Sequence, residues 1–185
     1  MRCVVYSIAK SSSLELVKIY QKQCRQFDCE LELVDLFPKN TANAQKVSKE
    51  LAQKSYSLAF EPYLNPRAKN IALHPKAQRG DSFAFSKMLE NHLNINFFIA
   101  GAYGFEENFL KDCQAWSLSE MTFSHEVAKI VLCEQIYRAL SIIFKHPYHI
   151  NRRCACVFTL SLHFCSLWVL ACLFIASIRK LMASI

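Results

Sequence analysis

A chain of 185 residues, 52% of them apolar and 20% charged, is long enough for one domain with a real core and too short for two comfortable ones. Its formal charge of +7 is uneven: residues 1–150 hold eighteen Lys and Arg against fifteen Asp and Glu, a net +3, while the last thirty-five residues hold four basic groups and no acid. That near-balanced body excludes bulk polycationic binding to nucleic acid, so any such contact needs clustered basic residues. Nine cysteines, an odd number scattered through apolar stretches with no CxxC pair, argue against a disulfide framework and against a metal centre. The opening Met1-Arg2-Cys3-Val4-Val5-Tyr6 reads as a strand and not as a signal peptide, so a cytoplasmic location with reduced thiols is expected.

In chain order, Val4 to Ala9 is a short β-branched run, a buried strand. Ser12 or Ser13 can cap a helix in which Leu14, Leu16, Val17 and Tyr20 recur at helical spacing. Glu30 to Leu36 alternates leucines with acids and predicts a second strand. Pro38-Lys39-Asn40-Thr41 ends it, and one polar helix is expected to about Tyr56, followed by an irregular stretch marked by Pro62 and Pro66. Strands are then predicted over Ile71–His74 and Ile95–Ala100, with a helix over Ser82–Leu93 between them. A short helix over Glu106–Cys113, a brief strand around Trp116–Leu118 and a long helix from Ser124 to about Phe144 complete the body. Strands alternating with helices imply an α/β fold with a parallel-containing sheet flanked by helices.

Residues 1–150 thus form one expected domain and 151–185 a hydrophobic extension. Within the extension, Val157 to Ile178 carries no charge and lies between Arg152-Arg153 and Arg179-Lys180. As an extra C-terminal apolar helix it would be about 33 Å long, enough to span a bilayer core of about 30 Å. The abrupt loss of acids fits an altered reading frame or a lost stop codon, and a membrane anchor is the competing reading; a membrane partner is expected only in that second case.

The chain contains three glycines. Gly101 and Gly104 close the apolar run Phe97-Phe98-Ile99-Ala100-Gly101-Ala102-Tyr103-Gly104, and Gly80 sits in the loop after the Ile71 strand. Glycine admits positive φ and close approach of a ligand to the backbone, so strand-end loops that contain it are candidate sites. Three downstream segments are more specific: Ser117-Leu118-Ser119-Glu120-Met121-Thr122-Phe123-Ser124-His125, Glu134-Gln135-Ile136-Tyr137-Arg138-Ala139, and Pro147-Tyr148-His149. In that order and spacing they closely resemble the SPOUT-class ribosomal RNA large subunit methyltransferase H family, and the resemblance covers residues 1 to about 149.

The resemblance implies a SPOUT α/β trefoil knot working as a homodimer. It also implies an enzyme that uses S-adenosyl-L-methionine to methylate N3 of pseudouridine-1915 in helix 69 of 23S rRNA, on the assembled 70S ribosome. Carried over by position, the methyl donor is expected among Leu73, Ala100 and Gly101, and the run Leu118, Ser119, Glu120, Met121, Thr122 and Phe123. Main-chain groups would read the adenine edge, with Leu118, Met121 and Phe123 as apolar walls. For the acceptor, the candidates are Arg138, His125, Tyr148 and His149; Arg138, Tyr148 and His149 are expected to position substrate, and the group that handles the N3 proton is unassigned.

Three positions depart from the family pattern. Ala100 stands where a second glycine is usual, Gly80 is displaced within the loop after Leu73, and Ser124 replaces a proline before His125. Rival readings are an RNA-binding protein with the knot but no catalysis, and a membrane-anchored interaction protein defined by the tail. A dinucleotide-binding fold is disfavoured, because Ala100-Gly101-Ala102-Tyr103-Gly104 lacks the three-glycine spacing and lies late in the chain. Apart from the resemblance, His125 at a helix start reads as a structural cap or core partner, and Leu132, Ile136, Tyr137 and Leu140 read as a packed helix face. Lys18, Lys22 and Arg25 read as a solvated face before an RNA-facing stripe.

Overall fold

The computed structural model describes residues 1–10 and 14–148. The chain divides into two units, Met1–Phe144 and Lys145–Ile185. In the first, five strands form one sheet in the order β2-β1-β4-β3-β5, every neighbouring pair parallel. The strands are β1 (Arg2–Ile8), β2 (Glu30–Leu36), β3 (Lys69–Leu73), β4 (Asn94–Ile99) and β5 (Gln114–Trp116). The helices are α1 (Glu15–Cys24), α2 (Lys39–Val47), α3 (Lys49–Phe60), α4 (Ser82–Leu89), α5 (Glu107–Lys111) and α6 (His125–Ile143).

A parallel sheet needs cover on both faces, and the period of two in each strand supplies two apolar sets. Val4, Tyr6, Ile8, Ala72, Phe98 and Ala100 join Ala52, Tyr56 and Phe60 of α3 and Phe109 of α5 in one buried cluster. Its aromatics interlock, with Phe98 edge-on to Phe60 at 5.2 Å and to Phe109 at 5.4 Å between centroids. The alternate residues, among them Cys3, Val5, Ile71, Ile95 and Phe97, are buried as well. On that side Phe85 of α4 packs with Phe97 and Trp116. Helix α6 packs against both α1 and α4. Leu132, Ile136, Tyr137 and Leu140 are buried, the face that their spacing predicts, and Tyr137 also accepts a hydrogen bond from Gln26 Nε2 at 3.1 Å.

The structure differs from the sequence expectations at four places. The polar helix after Pro38 is two helices, because Ser48 takes an extended conformation (φ −159°, ψ 162°) and its hydroxyl accepts the Leu51 N–H to start α3. Helix α4 stops at Leu89, and Asn91 turns the chain with φ 65°. Strand β5 ends at Trp116, which leaves Ser117 and Leu118 in a loop. The residue before α1 is Leu14, which makes no side-chain cap; Ser12 and Ser13 lie outside the described residues.

Of the second unit, residues 145–148 are described: Lys145 has φ 54°, and the Tyr148 N–H donates to His146 Nδ1 at 3.3 Å. The extra apolar helix expected over 157–178 lies outside the described residues. Among the described residues, no helix is long and apolar enough to cross a membrane.

Candidate functional site

Open parallel sheets bind ligands at the carboxyl ends of their strands. Here a cleft of about 230 Å³ sits at the ends of β3, β4 and β5. Leu73 ends β3, and His74 and Pro75 follow it; Ile99 ends β4, followed by Ala100 to Ala102, Gly104 and Phe105; Ser117, Leu118, Ser119, Met121, Thr122 and Phe123 follow β5. His125 and Ala128, three residues apart on the first turn of α6, close it. The lining is mostly apolar with a few convergent polar groups, the usual composition of a small-ligand site.

The β4 loop is held rigidly from below. Gly101 and Gly104 bracket a tight turn closed by the Gly104 N–H to the Gly101 carbonyl at 2.9 Å, and Gly104 takes φ +73°. A Cβ on Gly101 would overlap the Tyr56 ring, meeting its Cε2 at 2.8 Å and its Cζ and hydroxyl closer still. Tyr56 is fully buried, and its hydroxyl accepts from Gln45 Nε2 at 2.7 Å. Gln53 Nε2 donates to the carbonyls of Tyr103 (2.9 Å) and Phe105 (3.0 Å), and the Tyr103 hydroxyl donates to the Gln45 carbonyl (3.1 Å). Helices α2 and α3 thus brace the loop through three hydrogen bonds. Ala100 both lines the cleft and belongs to the buried cluster around Tyr56 and Phe98.

The β3 and β5 loops are tied to each other. The His74 N–H donates to the Trp116 carbonyl and the Ser117 N–H to the Gln78 carbonyl, both at 2.9 Å. The Ser117 hydroxyl is within reach of the carbonyls of Pro75 (3.0 Å) and Ser119 (2.9 Å), and Ser119 Oγ accepts the Met121 N–H at 3.0 Å. Gly80 belongs to this tie and not to the cleft: a Cβ there would meet Ala84 Cβ at 2.6 Å and the Trp116 ring at 3.1 Å.

A buried charge pair joins α6 to β2 one helical turn beyond the cleft-lining His125. Lys129, 2% exposed, donates to Asp35 Oδ1 of β2 at 2.5 Å, and the buried Ser7 hydroxyl of β1 donates to the same oxygen. His125 precedes Lys129 by one helical turn. Burial pushes its imidazole below the usual histidine range, Lys129 adds to that effect, and Asp35 opposes it. Ser124 caps α6 by accepting the Val127 N–H, so His125 is not the cap.

Of the expected donor-site residues, Leu73, Ala100, Gly101, Leu118, Ser119, Met121, Thr122 and Phe123 line the one cleft. Glu120 does not; it is exposed and pairs with Arg79. Arg138 also lies away from the lining, partly buried on α6, where Nε and Nη2 both donate to Glu134 Oε1. The Glu134 carboxylate also accepts from Gln135, which in turn accepts from Ser82 of α4. Tyr148 falls in the second unit and His149 outside the described residues. His74, Pro75, Ile99, Ala102, Phe105 and Ala128 join the lining without having been singled out; each lies within two positions of a residue that was, or follows it by a helical turn. Among the described residues no group of three His, Cys, Asp or Glu could hold a metal.

Residues 1–149 match the family model described as "Predicted SPOUT methyltransferase". The chain is 98% identical over 149 residues to the "Ribosomal RNA large subunit methyltransferase H" of Helicobacter pylori strain Shi470, a match that covers 80% of this chain and 99% of that protein. Proteins of the same name from Helicobacter acinonychis strain Sheeba and Helicobacter hepaticus strain ATCC 51449 / 3B1 are 93% identical over 149 residues and 47% over 152, again covering 80% of this chain and 99% of each relative. The family match ends at residue 149, so the 151–185 extension lies outside it.

Proposed function

Because the chain belongs to the SPOUT methyltransferase family, the class of α/β trefoil knots expected from its sequence, we propose that it transfers a methyl group from S-adenosyl-L-methionine to large-subunit ribosomal RNA, at N3 of the helix 69 pseudouridine in 23S rRNA. The observation that carries this reading is the convergence of three strand-end loops on one apolar cleft, in a chain 98% identical to a protein named for that RNA. The cleft residues fit the donor. Ile99, Leu118 and Phe123 offer apolar walls for an adenine ring, and the loop backbones offer hydrogen bonds to its edge. When bound, the donor supplies an electrophilic methyl on a sulfonium.

The chain's own part is to hold that methyl in line with the acceptor nitrogen and to accommodate the imino proton. Arg138, Tyr148 and His149 are the proposed substrate-positioning groups, with Arg138 pre-oriented by Glu134. A homodimer is proposed as the working form; exposed Leu16 and Ile19 on α1 and Val127 on α6, two helices that pack together, offer apolar surface for it. The body's net +3 supports a composite substrate surface on the assembled ribosome, in the cytoplasm, with the RNA and its proteins supplying much of the recognition. Residues 151–185 are proposed to be dispensable for this chemistry.

Two measurements test the reading. Calorimetry with S-adenosyl-L-methionine reports whether the cleft takes the donor, and transfer of labelled methyl to ribosomes lacking the modification reports the reaction. Donor binding with no transfer to ribosomal RNA would favour an RNA-binding protein without catalysis; no donor binding would remove the proposal altogether.

A further inference from the structure

The cleft has no lysine, arginine, aspartate or glutamate among its lining residues. It can wall an apolar ring, but it cannot balance the phosphates that accompany a nucleotide acceptor. With a net charge of +3 over residues 1–150, the chain needs a local cluster of cations for that task. Such a cluster lies at the β5 edge of the sheet. A groove of about 400 Å³ runs between β5 and α4, with Met88 and Trp116 as its apolar part. Lys69 at the start of β3, Arg79 in the loop after it, Lys87 on α4 and His92 beyond α4 line this groove, and among the described residues no carboxylate does. Lys69 and Lys87 take part in no ion pair among the described residues. Arg79 pairs with Glu120, but the two side chains are 55% and 71% exposed. An ion pair in that setting is worth about 1 kcal/mol or less, so a phosphate can take the carboxylate's place.

We propose that this groove binds the phosphate backbone of the RNA whose nucleotide enters the cleft, with Lys69, Arg79 and Lys87 as the phosphate contacts. The inference rests on the reading of the chain as a ribosomal RNA methyltransferase. Groove and cleft adjoin. Trp116 lines the groove and the next residue, Ser117, lines the cleft. The Ser117 N–H donates at 2.9 Å to the carbonyl of Gln78, which also lines the groove, and the His74 N–H of the cleft donates at 2.9 Å to the Trp116 carbonyl. Trp116 packs on Phe85 of α4 at 5.9 Å between ring centroids, so the groove and the cleft loops belong to one braced unit. A backbone held along this edge is thereby fixed relative to the donor loops, as an in-line transfer requires. Phosphate contacts of this kind set the register of a nucleic acid without reading its bases. They supply the clustered charge that the near-balanced body otherwise lacks.

The test compares three forms of the full chain. They are the parent, the groove variant Lys69→Gln with Lys87→Gln, and a control, Lys49→Gln with Lys54→Gln. The control removes the same charge from exposed positions of α3, on the other face of the sheet from α4. Binding to ribosomes lacking the modification and to protein-free 23S rRNA is measured by filter retention over about 50–200 mM salt. The groove variant is expected to bind both about five- to tenfold more weakly, with a slope of log affinity against log salt shallower by about 1.4–1.8, the share of two phosphate contacts. Its KM for ribosomes should rise in step, while kcat at saturating ribosomes and donor affinity by calorimetry match the parent. Equal weakening in the α3 control would reduce the effect to net charge and overturn the inference, as would an unchanged salt slope in the groove variant. Weakening on ribosomes with none on protein-free RNA would assign the groove to an acidic protein surface and overturn it too. A parent that transfers no methyl group, with RNA affinity still lost in the groove variant alone, would refute the methyltransferase reading while leaving the groove as an RNA-backbone site.

Discussion

The buried ring of Tyr56 occupies the space that any side chain on Gly101 would need, so the loop that lines the cleft after β4 rests directly on helix α3. The two residues are forty-five positions apart, and their contact fixes how far the loop can sink toward the core. Glycine at 101 is therefore demanded by packing beneath the loop, whereas Gly104 is demanded by its positive φ.

Gly101→Ala is accordingly expected to destabilise the protein by about 1–3 kcal/mol, the range for overpacking a close-packed interior. Urea denaturation measures this. Tyr56→Leu in the Gly101→Ala background should recover part of the loss, because it removes the ring atoms in conflict. Full additivity of the two substitutions would show that the contact is not the cause.

Position 100 carries the opposite expectation. Its methyl belongs to the buried cluster with Tyr56 and Phe98, so Ala100→Gly loses packing and adds backbone freedom, at a cost of about 0.5–1 kcal/mol. Donor affinity measured by calorimetry should change by less than about threefold. A large gain in affinity would mean that the alanine obstructs the donor.

The buried pair between α6 and β2 makes a sharper prediction. Lys129→Met removes the cation that pairs with the buried Asp35 carboxylate, and should cost about 3–5 kcal/mol. Lys129→Met with Asp35→Leu should be more stable than Lys129→Met alone, since the apolar pair leaves no orphaned charge. Thermal and chemical unfolding read both.

The depressed pKa of His125 sets a direction for pH dependence. Unfolded, the imidazole takes up its proton near its ordinary value of 6.5; folded, burial and Lys129 on its own helix delay that uptake to lower pH, against the opposing pull of Asp35 on β2. The unfolded state therefore binds more protons in that window, and stability falls as pH drops below about 6.5 until the folded pKa is passed. In His125→Asn this portion of the pH dependence should vanish. An unchanged stability profile between pH 7 and 5 in the variant would contradict it.

A chain ending after Ile150 should bind donor and modify ribosomes as well as the full chain, because the family match is complete by residue 149 and the relatives are covered over 99% of their length. Loss of either activity on truncation would assign the extension a working role.

Much of this architecture is legible in the sequence because it is written locally. The β-branched runs, the alternating leucines of β2 and the helical spacing of Leu132, Ile136 and Leu140 each fix an element with its buried face. The segment from Ser117 to Phe123 points to the cleft through the family resemblance that it carries. What the sequence conceals is long-range. Nothing near Gly101 announces Tyr56, nothing in a polar run announces that Ser48 breaks it into two helices, and the Glu120 side chain turns outward to Arg79 although its neighbours line the cleft.

The account's central claim is tested most directly by locating the methyl group. Ribosomes lacking the helix 69 modification, incubated with the full chain and labelled S-adenosyl-L-methionine, can be digested and the labelled nucleoside mapped by mass spectrometry. The account predicts label on N3 of the helix 69 pseudouridine of 23S rRNA. Label on another nucleotide, or none from a protein that binds the donor, would contradict it.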